Sequence, residues 1–491
     1  MKKLDNSSIE RARRPVRVLQ FGEGNFLRAF ADWMIDIANR KGVTDTDVAV
    51  VSPRFKENRG IKTLQNQDGL YHVWLEGIDN GQPLSRPHLV ECIADAFSPA
   101  ADFNRYESHI LSPDLRFVIS NTTEAGIRYE EDDVMSPTPA TFPGKVTSML
   151  YRRFRHFNGD PSKGLIFLCC ELIEDNGSTL KEYVLRHAKE AGLAEGFSNW
   201  VKEANIFCDT LVDRIVPGFP SDSITEIKEK LGYDDDMVVK GELFHVWAIG
   251  SDRHDQVHNE FPLDKAGLNV LFMDSIKAFR DKKVRILNGS HTGMVPIALQ
   301  LGCETVLDAF GHPAVNRFIN TMMTREVLPV IEGDPEELRR FADGILERFY
   351  NPYMRHMLKS IALNSLSKWE ARNFPTVRDQ WEKNGTPAEF EIFTFAALMA
   401  LYAPCSSFSP DDDKAYLSKI NEAWQKHPGD YAAIIKDITG SGIFTVDFES
   451  IVPGFSSKAG EYLGMIMNDG MSKALDDFLV SHGEKYVSPE S

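Results

Sequence analysis

At 491 residues the chain is too long for one hydrophobic core, and its 42% hydrophobic and 26% charged content excludes disordered and fibrous classes. A net charge of -17 argues against non-specific binding to nucleic acid or to anionic membrane, both of which need basic surface. An anionic small-molecule substrate then requires a local cationic pocket in an otherwise acidic protein.

The cysteines at 92, 169, 170, 208, 303 and 405 form no CxxC pair, which fits reduced thiols rather than a disulfide framework. The start, MKKLDNSSIERARR, lacks the apolar stretch of a secretory signal, and no run approaches the ~18 apolar residues of a membrane span. The expectation is a cytoplasmic protein. The sequence specifies no oligomeric state.

The first half alternates short apolar runs with helical patterns. Val16–Phe21 is a predicted strand, followed by an amphipathic helix over Asn25–Arg40 and strands at Val48–Ser52, Arg116–Ser120 and Leu165–Cys170. This alternation predicts parallel βαβ units covered on both faces. Tyr71–Ile78, then Asp79-Asn80-Gly81, then Leu89–Phe97 predicts an antiparallel excursion inserted in that sheet, with Asn-Gly at the hairpin tip. From Asp274 onward helices are predicted at Leu268–Lys282, Arg285–Leu301, Ala314–Glu332, Pro335–Tyr350, Tyr353–Lys368, Ala388–Leu401, Asp412–Lys426 and Gly460–Leu479. The fold class is an α/β N-terminal Rossmann-like domain (residues 1–273) followed by an all-α C-terminal domain (residues 274–491).

In VRVLQFGEGNFLRAF, Gly22 and Gly24 follow a strand and open a helix, so a pyrophosphate can approach the backbone and the helix N-terminus. Arg28 is positioned for a further phosphate contact. Leu27 takes the place of the third glycine in the G-x-G-x-x-G pattern, and a methyltransferase-like loop or a plain turn accounts for the same string. The second strand ends in Ser52 and Arg54 with no carboxylate for the ribose of NAD; Arg54 suits the 2′-phosphate of NADP.

At the start of the second half stands KKVRILNGSHTG. On a regular helix Lys283, Asn288 and His291 fall within an arc of roughly 140°, within reach of one substrate. Lys282 and Arg285 disfavour the charged form of Lys283, which suits it to proton transfer. A solvated helix start with a core histidine is the competing reading. His254 and His258 are four apart but lack further ligands, so no metal site is expected. Tyr129–Asp133 (YEEDD) is a solvated charge run.

FGEGNFLR (Phe21–Arg28), TTEAG (Thr122–Gly126), LVDRIVP (Leu211–Pro217), K-x4-N-x2-H (Lys283–His291) and FYNPYMRH (Phe349–His356) occur in this order along nearly the whole chain. In these blocks it resembles the mannitol dehydrogenase family of polyol-specific long-chain dehydrogenases. Its branch acting on D-tagaturonate is the nearest match, with fructuronate and fructose or mannitol as sister substrates. The resemblance implies metal-independent, NAD-dependent reduction of a sugar acid (NADP not excluded) in a cleft between the two domains. It implies Lys283 as general acid/base, Asn288 as the group polarising the reacting oxygen, and His291 as a partner of substrate hydroxyls. It further implies cofactor contacts from Phe21, Gly22, Gly24, Asn25, Phe26, Arg28, Thr122 and Glu124, and substrate contacts from Asp213 and Lys368. Leu172 departs from the family at a second oxygen-holding asparagine, leaving Asn288 alone or with Asn176. Lys368, Lys359 and Arg355 are candidates for a substrate carboxylate. Outside enzymes, a non-catalytic dinucleotide-binding regulator is the alternative.

Overall fold

The computed structural model describes residues 1–56, 58–79, 82–122, 126–352 and 355–484. They divide into two units, Met1–Lys277 and Ala278–Ser491. In chain order the strands are β1 (Lys2–Lys3), β2 (Val16–Phe21), β3 (Asp47–Val51), β4 (Tyr71–Asp79), β5 (Gln82–Val90), β6 (Ile93–Phe97), β7 (Phe117–Ser120), β8 (Ile166–Cys169), β9 (Ile206–Asp213), β10 (Tyr233–Asp234), β11 (Val239–Glu242), β12 (Val246–Gly250) and β13 (Val270–Met273).

The main sheet has the order β13-β12-β9-β8-β7-β2-β3-β6. From β6 through β9 all neighbours are parallel, whereas β12 runs antiparallel to β9 and β13 parallel to β12. The parallel part has the 3-2-1-4-5-6 order of a doubly wound sheet, whose winding reverses between β2 and β7. Both faces are buried, which explains why these strands are continuous apolar runs. On one face Val18, Val48, Val50, Ile119 and Leu168 join a core with Phe30, Trp33 and Ile35. On the other, Leu19, Val51, Val118 and Phe167 join Met149, Leu150 and Leu180.

The excursion departs from its expected form. β4 and β5 pair antiparallel, but with β11 they make a separate sheet, order β11-β4-β5, rather than an insertion in the parallel one. The predicted run Leu89–Phe97 breaks at Glu91 and Cys92, and β6 leaves the hairpin to join β3 in the main sheet. The hairpin tip Asn80-Gly81 lies outside the described residues. Val270–Met273, expected to be helical, is a strand because β12 claims it as a sheet partner.

The second unit is built around the helix Glu389–Leu401, whose residues from Phe390 to Leu401 are all buried. A helix apolar all round belongs in the middle of a bundle; it packs against Ser290–Gln300 and Phe455–Asp469. The predicted helix Tyr353–Lys368 is replaced by Leu358–Ile361 and Ser365–Arg372, separated by Asn364 at φ 52° (Tyr353 and Met354 lie outside the described residues). Gly470, at φ 81°, splits the predicted Gly460–Leu479 into Phe455–Asp469 and Met471–Ser481. Phe374–Asn384 and Tyr431–Gly440 are helices with no counterpart in the sequence reading.

One buried side chain fixes the end of β8. The Asn176 amide donates to the carbonyls of Cys169, Glu171 and Thr210 at 2.9–3.0 Å, and its Oδ1 accepts from Thr210 N at 2.9 Å. It has no capacity left for a substrate oxygen, so the expectation that it compensates for Leu172 is withdrawn. Asn176→Ala strands several buried backbone groups and should cost about 2–4 kcal/mol in urea unfolding; an unchanged midpoint would show that these bonds are replaced by water.

Candidate functional site

In the first unit the strand-to-helix turn after β2 has the shape a phosphate needs. Gly22 sits at φ 131°, where a side chain is strained, and a Cβ there would stand 3.2 Å from Leu27 Cδ1. Gly24 precedes the first helical turn, and a Cβ there would meet nothing within 4 Å, so ligand can approach the backbone closely. Leu27 is buried, filling the space where a third glycine would allow closer packing. Phe21 is buried in the sheet, Asn25 is exposed, and half-buried Phe26 stacks on Phe30 at 4.9 Å.

Arg28 behaves differently from its expectation. It is only 5% exposed and donates to the carbonyls of Glu23 (3.1 Å) and Met237 and to Asn25 Oδ1 (2.6 Å). Its guanidinium also lies 5.3 Å from the Tyr71 ring centroid. The charge is therefore used to brace the glycine loop from inside.

At the end of β7, Thr122 donates through both its backbone N and its Oγ1 to Glu171 Oε1, each at 2.9 Å. Ser120 Oγ donates to the other Glu171 oxygen at 3.1 Å. Burial raises the pKa of Glu171, against these hydrogen bonds. The sequence reading did not single out Glu171, because its partners lie some 50 residues away. Glu124 lies outside the described residues. Between the ends of β2, β3 and β7 opens a cavity of about 620 Å³, lined among others by Glu23, Ser52, Arg54, Asn58, Thr122 and Lys145. A crevice at the carboxyl ends of these strands, beside an open glycine turn, fits a dinucleotide.

Asp213 closes β9, opposite Val246. Its neighbour Arg214 is buried, donating to the carbonyls of Ala29 and Glu242 at 2.6 and 2.8 Å. Leu172 is 69% exposed. His254 pairs with Asp274 at 3.1 Å and His258 with Asp264 at 2.9 Å; among the described residues no His, Cys, Asp and Glu cluster is placed to hold a metal.

In the second unit the segment KKVRILNGSHTG is not a regular helix. Lys283 ends the helix Lys277–Lys283, Val284–Gly289 forms a π-turn, and Ser290–Gln300 resumes the α-helix. In a π-turn each N–H bonds five residues back, so residues five apart come nearly above one another instead of diverging. Lys283 and Asn288 have this spacing, and the π-turn narrows the arc that a regular helix would give them. Asn373 Nδ2 donates both to Gly289 O (3.0 Å) and to the buried Glu391 Oε2 (2.8 Å). Arg285 Nη1 reaches Asp379 at 2.7 Å, anchoring the other side of the turn. Gly289 is needed because a Cβ would stand 3.2 Å from Arg372 O.

His291 is half-buried, with Phe349 and His356 at ring-centroid distances of 4.5 and 5.2 Å. Burial holds its pKa well below the ordinary value, and the charges of His356, Arg348, Arg372 and Lys283 push the same way. Arg372 Nη1 donates to Thr292 Oγ1 at 3.2 Å. Lys368 donates to Ile361 O at 3.1 Å, and burial and the charge of Arg372 lower its pKa. Sequence reasoning missed Arg348, Arg372 and Asn373, each more than 50 residues from His291. Lys359 is exposed and Arg355 points to Glu304 at 3.9 Å, both placed as surface groups.

The chain matches the mannitol dehydrogenase Rossmann domain over residues 16–264 and the mannitol dehydrogenase C-terminal domain over residues 275–434. It is 43% identical over 472 residues to an altronate oxidoreductase of Bacillus subtilis (strain 168), covering 96% of each chain. An altronate oxidoreductase of Bacteroides thetaiotaomicron is 38% identical over 490 residues, covering 98% of this chain and all of that one. Among solved structures, a substrate-free D-sorbitol dehydrogenase aligns with a TM-score of 0.79 at 21% identity, over 94% of this chain and 95% of that chain. Mannitol 2-dehydrogenase of Pseudomonas fluorescens, in a ternary complex with NAD and D-mannitol, aligns with a TM-score of 0.68 at 19% identity over 95% of each. These two share the fold.

A depressed histidine pKa means the folded state binds the proton less readily than the unfolded state. Its contribution to stability is present above about pH 6.5 and declines as the pH falls below that value. NMR of ring-labelled protein should accordingly show His291 neutral at pH 6. A titration midpoint at the ordinary histidine value would contradict this burial and the closeness of these cations.

Proposed function

The chain belongs to the mannitol dehydrogenase family, and from that premise we propose that it is an NAD-dependent oxidoreductase interconverting D-tagaturonate and D-altronate. The observation that carries this reading is the near-full-length likeness to altronate oxidoreductases. The cations around His291 support a substrate bearing a carboxylate. In this reading residues 1–273 hold the dinucleotide, through the loop Phe21–Phe26 and Thr122, and residues 274–491 hold the sugar acid.

The dinucleotide, when bound in its reduced form, would supply the hydride for the keto carbon. Lys283, as the ammonium, donates a proton to the oxygen as it gains charge, and Asn288 donates a hydrogen bond to the same oxygen. The π-turn serves this pairing by bringing the two side chains toward one face. His291, kept neutral, offers one donor and one acceptor to substrate hydroxyls. Arg372 and Arg348, with Lys368 near Arg372, supply the positive field for the carboxylate. Asp213 is a further hydroxyl partner. In the oxidative direction the neutral amine of Lys283 takes the proton back.

The test is NADH oxidation by chelator-treated protein with tagaturonate, fructuronate and fructose in parallel. Turnover should be fastest on tagaturonate; preference for either other substrate would move the chain to a sister activity. Lys283→Ala should lower kcat by about 10²–10⁴ while NADH affinity stays nearly constant, and a kcat close to wild type would remove Lys283 from the proton-transfer role. Arg372→Ala should raise KM for tagaturonate about tenfold or more, by loss of a charged hydrogen bond. An unchanged KM would place the carboxylate elsewhere.

A further inference from the structure

Glu23, between the two glycines of the loop, has one carboxylate oxygen that the protein does not satisfy. Its Oε1 accepts from Asn58 Nδ2 at 2.6 Å. Asn58 in turn caps the helix Arg59–Asn66, its Oδ1 accepting from Ile61 N at 3.0 Å, and its Nδ2 lies 3.3 Å from Ser52 Oγ. The second oxygen, Oε2, is buried and has no hydrogen-bond partner among the described residues. Burial raises the pKa of Glu23, while the bond from Asn58 and the charges of Arg28 and Arg54 oppose that rise. The first turn of the Arg59–Asn66 helix makes room for it: a Cβ on Gly60 would stand 2.9 Å from Glu23 Cγ. The same carboxylate lines the cavity of about 620 Å³ at the ends of β2 and β3.

A buried acceptor without a donor is costly, so this arrangement suits a ligand that brings donors of its own. In a doubly wound sheet the adenosine ribose lies at the end of the second parallel strand, which here is β3. A ribose diol offers two hydroxyl donors at that place. A 2′-phosphate removes one of these donors and sets a second anion beside the first. We propose that Glu23 binds the adenosine ribose hydroxyls of the dinucleotide and discriminates against a 2′-phosphate. The acid missing from the end of the second strand is thus supplied by the glycine loop, opposite the exposed Arg54 that lines the same cavity. This inference rests on the dinucleotide reading of the same cavity.

Calorimetric titration of the full-length protein with NADH and with NADPH tests it, using wild type, Glu23→Gln and Gly60→Ala, each checked for native circular dichroism. Wild type should bind NADH more tightly than NADPH by about 100-fold, and Glu23→Gln should reduce that ratio to about tenfold or less. Gly60→Ala keeps the charge but crowds Glu23 Cγ, and should lower the ratio in the same direction. A ratio unchanged in both variants would overturn the role of Glu23 while leaving dinucleotide binding intact. A wild-type protein that binds neither nucleotide would overturn both readings.

Discussion

The proposed chemistry depends on a single irregularity in backbone hydrogen bonding, the π-turn at Val284–Gly289. A regular helix would separate Lys283 and Asn288 by a large angle, whereas a turn bonded five residues back brings them together. Such a turn is less stable than an α-turn and needs support from outside. Asn373 supplies it by donating to Gly289 O, and Glu391, on the buried central helix, holds Asn373 in turn. The buried central helix of the second unit is thereby connected to the π-turn that carries Lys283 and Asn288.

The electrostatics around this turn are consistent with its proposed work. Glu391 and Glu326 are fully buried carboxylates whose pKa values burial pushes up to about 8, and Glu326 accepts from the backbone N of Phe390 and of Glu391 at 2.9 Å. Near-neutral acids can hold backbone and amide groups without setting strong negative charge behind the site. The charges of Arg348, Arg372 and Lys283 act in the same direction on His291. In a chain of net charge -17 this local reversal is what an anionic sugar acid requires.

The sequence made the local features legible and the long-range ones not. Strands β2, β3, β7 and β8 were readable because burial on both faces leaves uninterrupted apolar runs. The split between β5 and β6 was not, since Val90 and Ile93 continue the same apolar pattern across the break. Val270–Met273 sits in a stretch whose spacing also suits a helix, and only its pairing with β12 decides the matter. The trio Lys283, Asn288 and His291 was visible because it spans nine residues. Arg348, Arg372 and Asn373 arrive from other helices, and nothing in their own surroundings marks them. The ribose-binding acid was sought at the end of the second strand, whereas the unsatisfied carboxylate comes from the glycine loop. Periodicity likewise places Arg28 one turn into the helix but does not say that Tyr71 and the Met237 carbonyl draw it inward.

A crystal structure of the protein with NAD and D-altronate would show directly whether Lys283 and Asn288 meet the same oxygen. The reacting hydroxyl should lie within about 2.6–3.2 Å of both Lys283 Nζ and the Asn288 side chain, with the carboxylate turned toward Arg372 and Arg348. Altronate bound with Lys283 and Asn288 on different sides of the sugar, or with the stretch Val284–Gly289 regular, would contradict this arrangement.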